Sequence, residues 1–157
     1  MRIGVLGGSF DPPHEGHIAL ARAAARQLAL NRVLLLPAWE APHKPGGPSM
    51  DPAFRVALVR AAVVHDPVLG VSTIEVDRQG TSYTAETLEQ LAGENPGADL
   101  WFVMGADQLE GFADWSRPER IAELARLAVA WRPGAGDPAM EDLAGPVAAG
   151  RIDVVDM

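Results

Sequence analysis

The chain has 157 residues, the usual size of one domain, and 48% of them are hydrophobic against 22% charged. Its 13 Lys and Arg face 21 Asp and Glu, a formal net charge of -8, which argues against general nucleic-acid binding, with its need for a basic face, but leaves room for a local nucleotide pocket. The absence of Cys excludes a disulfide framework, a thiolate metal site and a cysteine nucleophile.

Arg2 to Leu6 reads as a short apolar strand ending at Gly7-Gly8. No basic and apolar leader precedes it, and no apolar run approaches the roughly 18 residues of a membrane span. A soluble, cytoplasmic protein with neither a nucleic-acid nor a membrane partner is expected. His14 to Leu30, rich in Ala, Leu and Arg with no interior Pro, predicts a helix. Arg32 to Leu36 is a continuous apolar run of the kind a buried parallel strand shows. A Pro-rich loop, Pro37 to Pro52, precedes a helix over Ala53 to His65, with Asp51 as N-cap and Pro52 at its first position. Leu69 to Val76 alternates toward a strand, Thr84 to Leu91 is helical, and Asp99 to Met104 is a strand. Ser116-Arg117-Pro118 opens a helix running to about Arg126, Leu127 to Trp131 is a strand, and Ile152 to Val155 is another. Pro133 to Gly150 reads as loop. Strands alternating with helices predict an α/β fold: a Rossmann-like, doubly wound, mostly parallel sheet with helices on both faces and right-handed crossovers. No repeat, charge block or linker marks a second domain, so residues 1–157 read as one domain.

In an open α/β sheet, ligands bind beyond the carboxyl ends of the strands. The informative residues fall there: Gly7 to Asp11 after the first strand, Pro42-His43-Lys44 after the second, Gly105-Ala106-Asp107 after Met104, and Arg132-Pro133-Gly134 after Trp131. Lys44 is the sole lysine, and three of the four histidines (His14, His17, His43) fall with it in the first third of the chain. Two glycines after a strand let backbone N–H groups approach a phosphate. His14 and His17, one helical turn apart at a helix start, share a side, and Gly16 between them leaves room for a ligand. A helix N-terminus already favours anions, so two imidazole donors there can hold a triphosphate. A zinc site is the rival reading, without evident further ligands; purely structural histidines are another.

The run Gly7-Gly8-Ser9-Phe10-Asp11-Pro12-Pro13-His14-Glu15-Gly16-His17 resembles the signature of the nucleotidyltransferases with a His-x-Gly-His motif. Pro42-His43-Lys44, Ser82-Tyr83-Thr84, Gly105-Ala106-Asp107, Trp115 and Arg132-Pro133-Gly134 resemble one branch, the bacterial nicotinate-nucleotide adenylyltransferases, and follow in the branch's order over nearly the whole chain. The resemblance implies transfer of AMP from ATP to nicotinate mononucleotide, giving deamido-NAD and pyrophosphate by direct in-line attack, with Mg²⁺ arriving on the ATP phosphates. It implies phosphate contacts for His14, His17 and Lys44, with His17 on the α-phosphate. ATP would also meet Gly7, Gly8, Ser9, Phe10, Gly16 and Gly105, and Asp107 would accept from the ribose hydroxyls. Ser9, Lys44, Thr84, Trp115 and Arg132 would hold the mononucleotide, Trp115 stacking on the pyridine ring and Thr84 reading the carboxylate with nearby backbone N–H groups. Trp39, Trp101 and Trp131 read as packing residues.

The family continues into a Ser/Thr-rich motif closing with Arg, at a late helix that grips the phosphates, and nothing after Arg132 resembles it. A domain lacking that helix and motif is therefore expected. Two other functions stay open: a pantetheine-phosphate adenylyltransferase, and a nucleotide-binding protein with impaired catalysis. The oligomeric state also stays open, a homo-oligomer included.

Overall fold

The computed structural model describes residues 1–40, 50–131 and 144–157. The apolar runs form β1 (Arg2–Gly8), β2 (Arg32–Pro37), β3 (Leu69–Val71), β4 (Asp99–Gly105), β5 (Ala125–Trp131) and β6 (Ile152–Asp156). They make one sheet of order β3-β2-β1-β4-β5-β6, parallel at every pairing. The expected doubly wound sheet is therefore present.

Side chains alternate across the pleat and bury both faces of the sheet. On one face Leu35, Trp101, Val103 and Ala128 pack with α1 (Glu15–Gln27) and α2 (Pro52–Val63). On the other, Val5, Phe102, Met104 and Leu127 pack with α4 (Thr84–Glu94) and α6 (Pro118–Leu124), the short helix α3 (Ile74–Arg78) lying beside them. Trp101 is a packing residue, as expected: it is buried, donates Nε1–H to Asp153 Oδ2 at 2.9 Å and lies under the Arg2 guanidinium.

Local chemistry sets the helix ends. His14 caps α1 instead of beginning it, and Ala29, at φ 51, turns the chain out after Leu28. Asp51 caps α2 as predicted, its Oδ1 accepting from the Ala53 N–H at 2.8 Å. The predicted strand over Leu69–Val76 is corrected: it stops at Val71 and the chain winds into α3. There Thr73 Oγ1 donates to Asp77 Oδ2 at 2.8 Å and the Asp77 N–H donates to Thr73 O, bonds that favour a turn of helix over extended chain. The helix after Arg117 ends at Leu124, with β5 starting earlier than predicted. Short helix α5 (Ala106–Leu109) and a one-turn 3-10 helix at Phe112–Asp114 follow β4 where no element is predicted, and a second 3-10 turn at Pro146–Ala148 lies within the predicted loop. No helix among the described residues is long and apolar enough to cross a membrane.

Candidate active site

β1 and β4 are neighbours, yet the chain leaves β1 for α1 on one face and leaves β4 for α6 on the other. Diverging connections open a crevice at the carboxyl ends of these strands. A cavity of about 360 Å³ lies there, with Gly7, Gly8, Glu75, Thr84, Gln108 and Trp115 among its lining residues.

The first loop joins the cavity to the imidazole pair. Phe10 is buried in the left-handed region (φ 48), its ring behind Gly8 and edge-on to His17 at 4.7 Å. His14 Nδ1 accepts from the Gly16 N–H, and His17 Nδ1 accepts from the His14 N–H, each at 3.1 Å. The rings stack with centroids 3.7 Å apart. A Cβ on Gly16 would sit 2.9 Å from His14 Cε1, so glycine is what lets that ring fold back onto the helix start. With both Nδ1 atoms accepting, each neutral ring carries its proton on Nε2, as a donor. Burial, and then His14, bring the His17 pKa down to about 4, so His17 is neutral near pH 7. Two Nε2–H donors suit phosphate oxygens rather than a cation, which weighs against the zinc reading. Among the described residues no three His, Asp or Glu side chains are grouped to hold a metal.

The opposite wall is tied to the same loop. The Ala38 N–H donates to Gly8 O at 2.9 Å, the Trp39 N–H to Ser82 Oγ at 3.1 Å, and the Ser82 N–H to Glu40 O at 2.8 Å. Ser82 is thereby a strut that sets Tyr83 and Thr84 at the start of α4, where no side chain caps the helix. Trp115 lies between Phe102 and Phe112, with centroids 5.9 and 5.2 Å away, and is both cavity wall and core edge. Gly105 ends β4, and a Cβ there would lie 2.6 Å from Asp107 Oδ1. Asp107 is exposed within α5, whose N-cap is Gly105. The structure thus gathers Gly7, Gly8, Thr84 and Trp115 around one cavity, while His14 lines a separate cleft with Pro13, Ile18 and Arg22, and Phe10 bridges Gly8 to His17. Lys44 and Arg132 lie outside the described residues.

Sequence reasoning missed two residues. Arg55 is wholly buried, donating from Nη1 to Ser9 O at 2.6 Å and from Nε to Met50 O at 3.2 Å. The Met50 N–H in turn donates to Asp11 Oδ1 at 3.0 Å, so α2 braces the first loop. The helical period carried a signal: Arg55 falls on the buried stripe with Val59 and Val63. Glu75 is only 6% exposed on the cavity wall, and its Oε2 accepts from Thr87 Oγ1 at 2.8 Å. It gave no local signal, because its segment reads as strand.

Sheet order, switch-point cavity and glycine loop define a Rossmann-type α/β protein. The cytidylyltransferase-like family model matches residues 5–152. A Thermomicrobium roseum protein named as a probable nicotinate-nucleotide adenylyltransferase is 44% identical over 133 residues, covering 85% of this chain and 62% of the relative. A Roseiflexus castenholzii protein of the same name is 47% identical over 134 residues, covering 85% of this chain and 67% of the relative. The chain thus spans about two thirds of the length of these curated relatives. The nicotinic acid mononucleotide adenylyltransferase of Plasmodium falciparum, solved with NaAD, shares the fold at TM-score 0.79 and 14% identity, covering 99% of this chain and 75% of that one. The chain belongs to the cytidylyltransferase-like family of nucleotidyltransferases.

Proposed function

We propose that the chain transfers AMP from ATP to nicotinate mononucleotide, giving deamido-NAD and pyrophosphate, as the names of its relatives suggest. One observation carries this reading above others: a single cavity joins the glycine loop, the uncapped start of α4 at Thr84 and Trp115. A phosphate, a carboxylate and a flat ring each find a matching surface there. The helix start supplies N–H groups and a favourable dipole for the carboxylate. The Trp115 ring supplies a flat apolar face for the pyridine.

In the proposed step an oxygen of the mononucleotide phosphate attacks the α-phosphorus of ATP. The new P–O bond forms as the bond from the α-phosphorus to the α,β-bridging oxygen breaks, and that oxygen leaves with pyrophosphate. The protein contributes position and charge stabilisation. His17 donates Nε2–H to an α-phosphate oxygen, and His14 donates to the neighbouring phosphates. The backbone at Gly7, Gly8 and Ser9 lies beside the transferred group, over Phe10. Gly16 admits the folded-back His14 ring that aims its Nε2–H outward, and Gly105 and Asp107 receive the ribose. Lys44 and Arg132 are proposed phosphate contacts from the second and last loops. Mg²⁺ would neutralise charge on the ATP oxygens, to which, with water, it binds by preference. This reading places the reaction in the cytoplasm.

Pyrophosphate release measured with ATP and three acceptors tests the proposal: nicotinate mononucleotide, its amide and phosphopantetheine. Turnover with the nicotinate acceptor in preference to the other two is expected. Preference for phosphopantetheine would reject the acceptor, and ATP binding without pyrophosphate release would support binding without catalysis.

A further inference from the structure

Resting on that acceptor reading, we infer that Glu75 sets the preference between the acid and amide forms of the mononucleotide ring, which binds tightly as the acid only while the Glu75 carboxyl is protonated. The geometry is that of a carboxyl built into the acceptor wall. Glu75 lines the same cavity as Tyr83, Thr84 and Trp115 and is nearly closed to solvent. A carboxylate there would face a ligand carboxylate across a site of low dielectric, where like charges repel strongly. A protonated carboxyl does not repel it and can donate to it. The amide group carries no charge to be repelled, and the pyridinium charge of the ring is common to both ligands, so its attraction to a Glu75 carboxylate cancels in the ratio of the two affinities.

The groups around Glu75 leave it free to titrate. From its own helix, Arg78 donates Nη2–H to Thr87 Oγ1 at 3.0 Å, and its Nε lies 3.6 Å from Glu86 Oε2 on α4. Its charge is therefore shared with Glu86. From α4, the Thr87 hydroxyl is within reach of both Glu75 Oε2 and Tyr83 O. Tyr83 and Asp114 line the cavity as well, and neither brings a positive charge. β2, which packs on α3, carries Arg32 at its far end as its sole ionisable group. Burial outweighs the Thr87 hydrogen bond and the Arg78 charge, pushing the Glu75 pKa up to about 7.

Equilibrium titration calorimetry of the intact chain with nicotinate mononucleotide and with its amide tests this, the readout being the ratio of the two affinities. The ribose phosphate is common to both ligands, so its titration cancels in the ratio. With a midpoint of about 7, the preference for the acid should fall about tenfold between about pH 6 and about pH 8, following the protonated fraction. In Glu75→Gln the preference should lose its pH dependence and stay near the wild-type value at low pH. In Thr87→Val the midpoint should rise, because a bond favouring the carboxylate is gone. A wild-type ratio that is flat with pH, or a Glu75→Gln ratio that still falls, overturns the inference while leaving the acceptor reading intact. Failure of both mononucleotides to bind, or equal affinity at every pH, overturns both.

Discussion

Both imidazoles at the start of α1 use Nδ1 to accept a backbone N–H, and that choice fixes their chemistry. A proton on Nδ1 would break the cap, so His17 serves as a neutral donor, in keeping with a pKa of about 4. If it donates to the transferred phosphate, His17→Ala should lower kcat by about 10²-fold or more, the scale of one lost oxyanion donor. Steady-state pyrophosphate release checks this; unchanged turnover per folded molecule would leave His17 a purely structural role. The same pKa has a consequence for stability. The unfolded His17 takes up its proton near 6.5, and the folded one not until about 4. Its contribution is therefore constant above the unfolded pKa and turns against folding as the pH drops from there toward about 4. Thermal unfolding across that interval should fall less steeply in His17→Ala than in the wild type. Parallel profiles would argue against a depressed pKa.

α4 begins without a capping side chain, and Tyr83 before it is extended at φ -83 and ψ 127. That conformation is the one a residue preceding proline adopts, and proline is well accepted at a first helical position. Thr84→Pro should therefore keep α4 while deleting one N–H at the proposed carboxylate site. Affinity for nicotinate mononucleotide should drop about tenfold or more, the scale of one hydrogen bond to a charged group, and affinity for the amide should drop less. Calorimetry together with far-UV circular dichroism separates loss of the N–H from loss of the helix. An unchanged acid affinity with α4 intact would remove this N–H from the site. The strand read over Leu69–Val76 shows the limit of pattern at this scale. Alternation through Val76 looked extended, but the Thr73 and Asp77 side chains and the packing of α3 on β2 turned the chain into helix. That turn put Glu75 on the cavity wall.

At the scale of the whole molecule, β6 is a sheet edge, and Asp153 pins it to the interior. Its carboxylate accepts from Arg126 Nε at 2.7 Å, Arg126 Nη2 at 3.1 Å and Trp101 Nε1 at 2.9 Å, joining β4, β5 and β6. The Arg126 hydrogen bonds, more than the Trp101 one, hold the Asp153 pKa below the usual carboxylate range. Its contribution is present above the unfolded carboxylate pKa and lost as the pH falls through the folded one. Asp153→Asn should cost about 1 kcal/mol at neutral pH, given partial exposure, and the difference from wild type should close in acid. Denaturant unfolding at both pH values checks it; a cost that persists in strong acid would mean lost packing instead of lost charge.

The sequence by itself determined the six strands and the longer helices between them in order, the doubly wound class and the glycine loop with its two histidines. These rest on contacts within a turn or a strand, so local pattern specifies them. Gly7 to His17 was legible because one short segment supplies the loop, the cap and both rings. Tertiary structure alone decided the rest. It placed β4 beside β1, put Arg55 beneath the first loop at Ser9, and brought Glu75 and Trp115 to one cavity from distant parts of the chain. A buried charge has no meaning until the surfaces that bury it have met, and only the closed sheet brings those surfaces together.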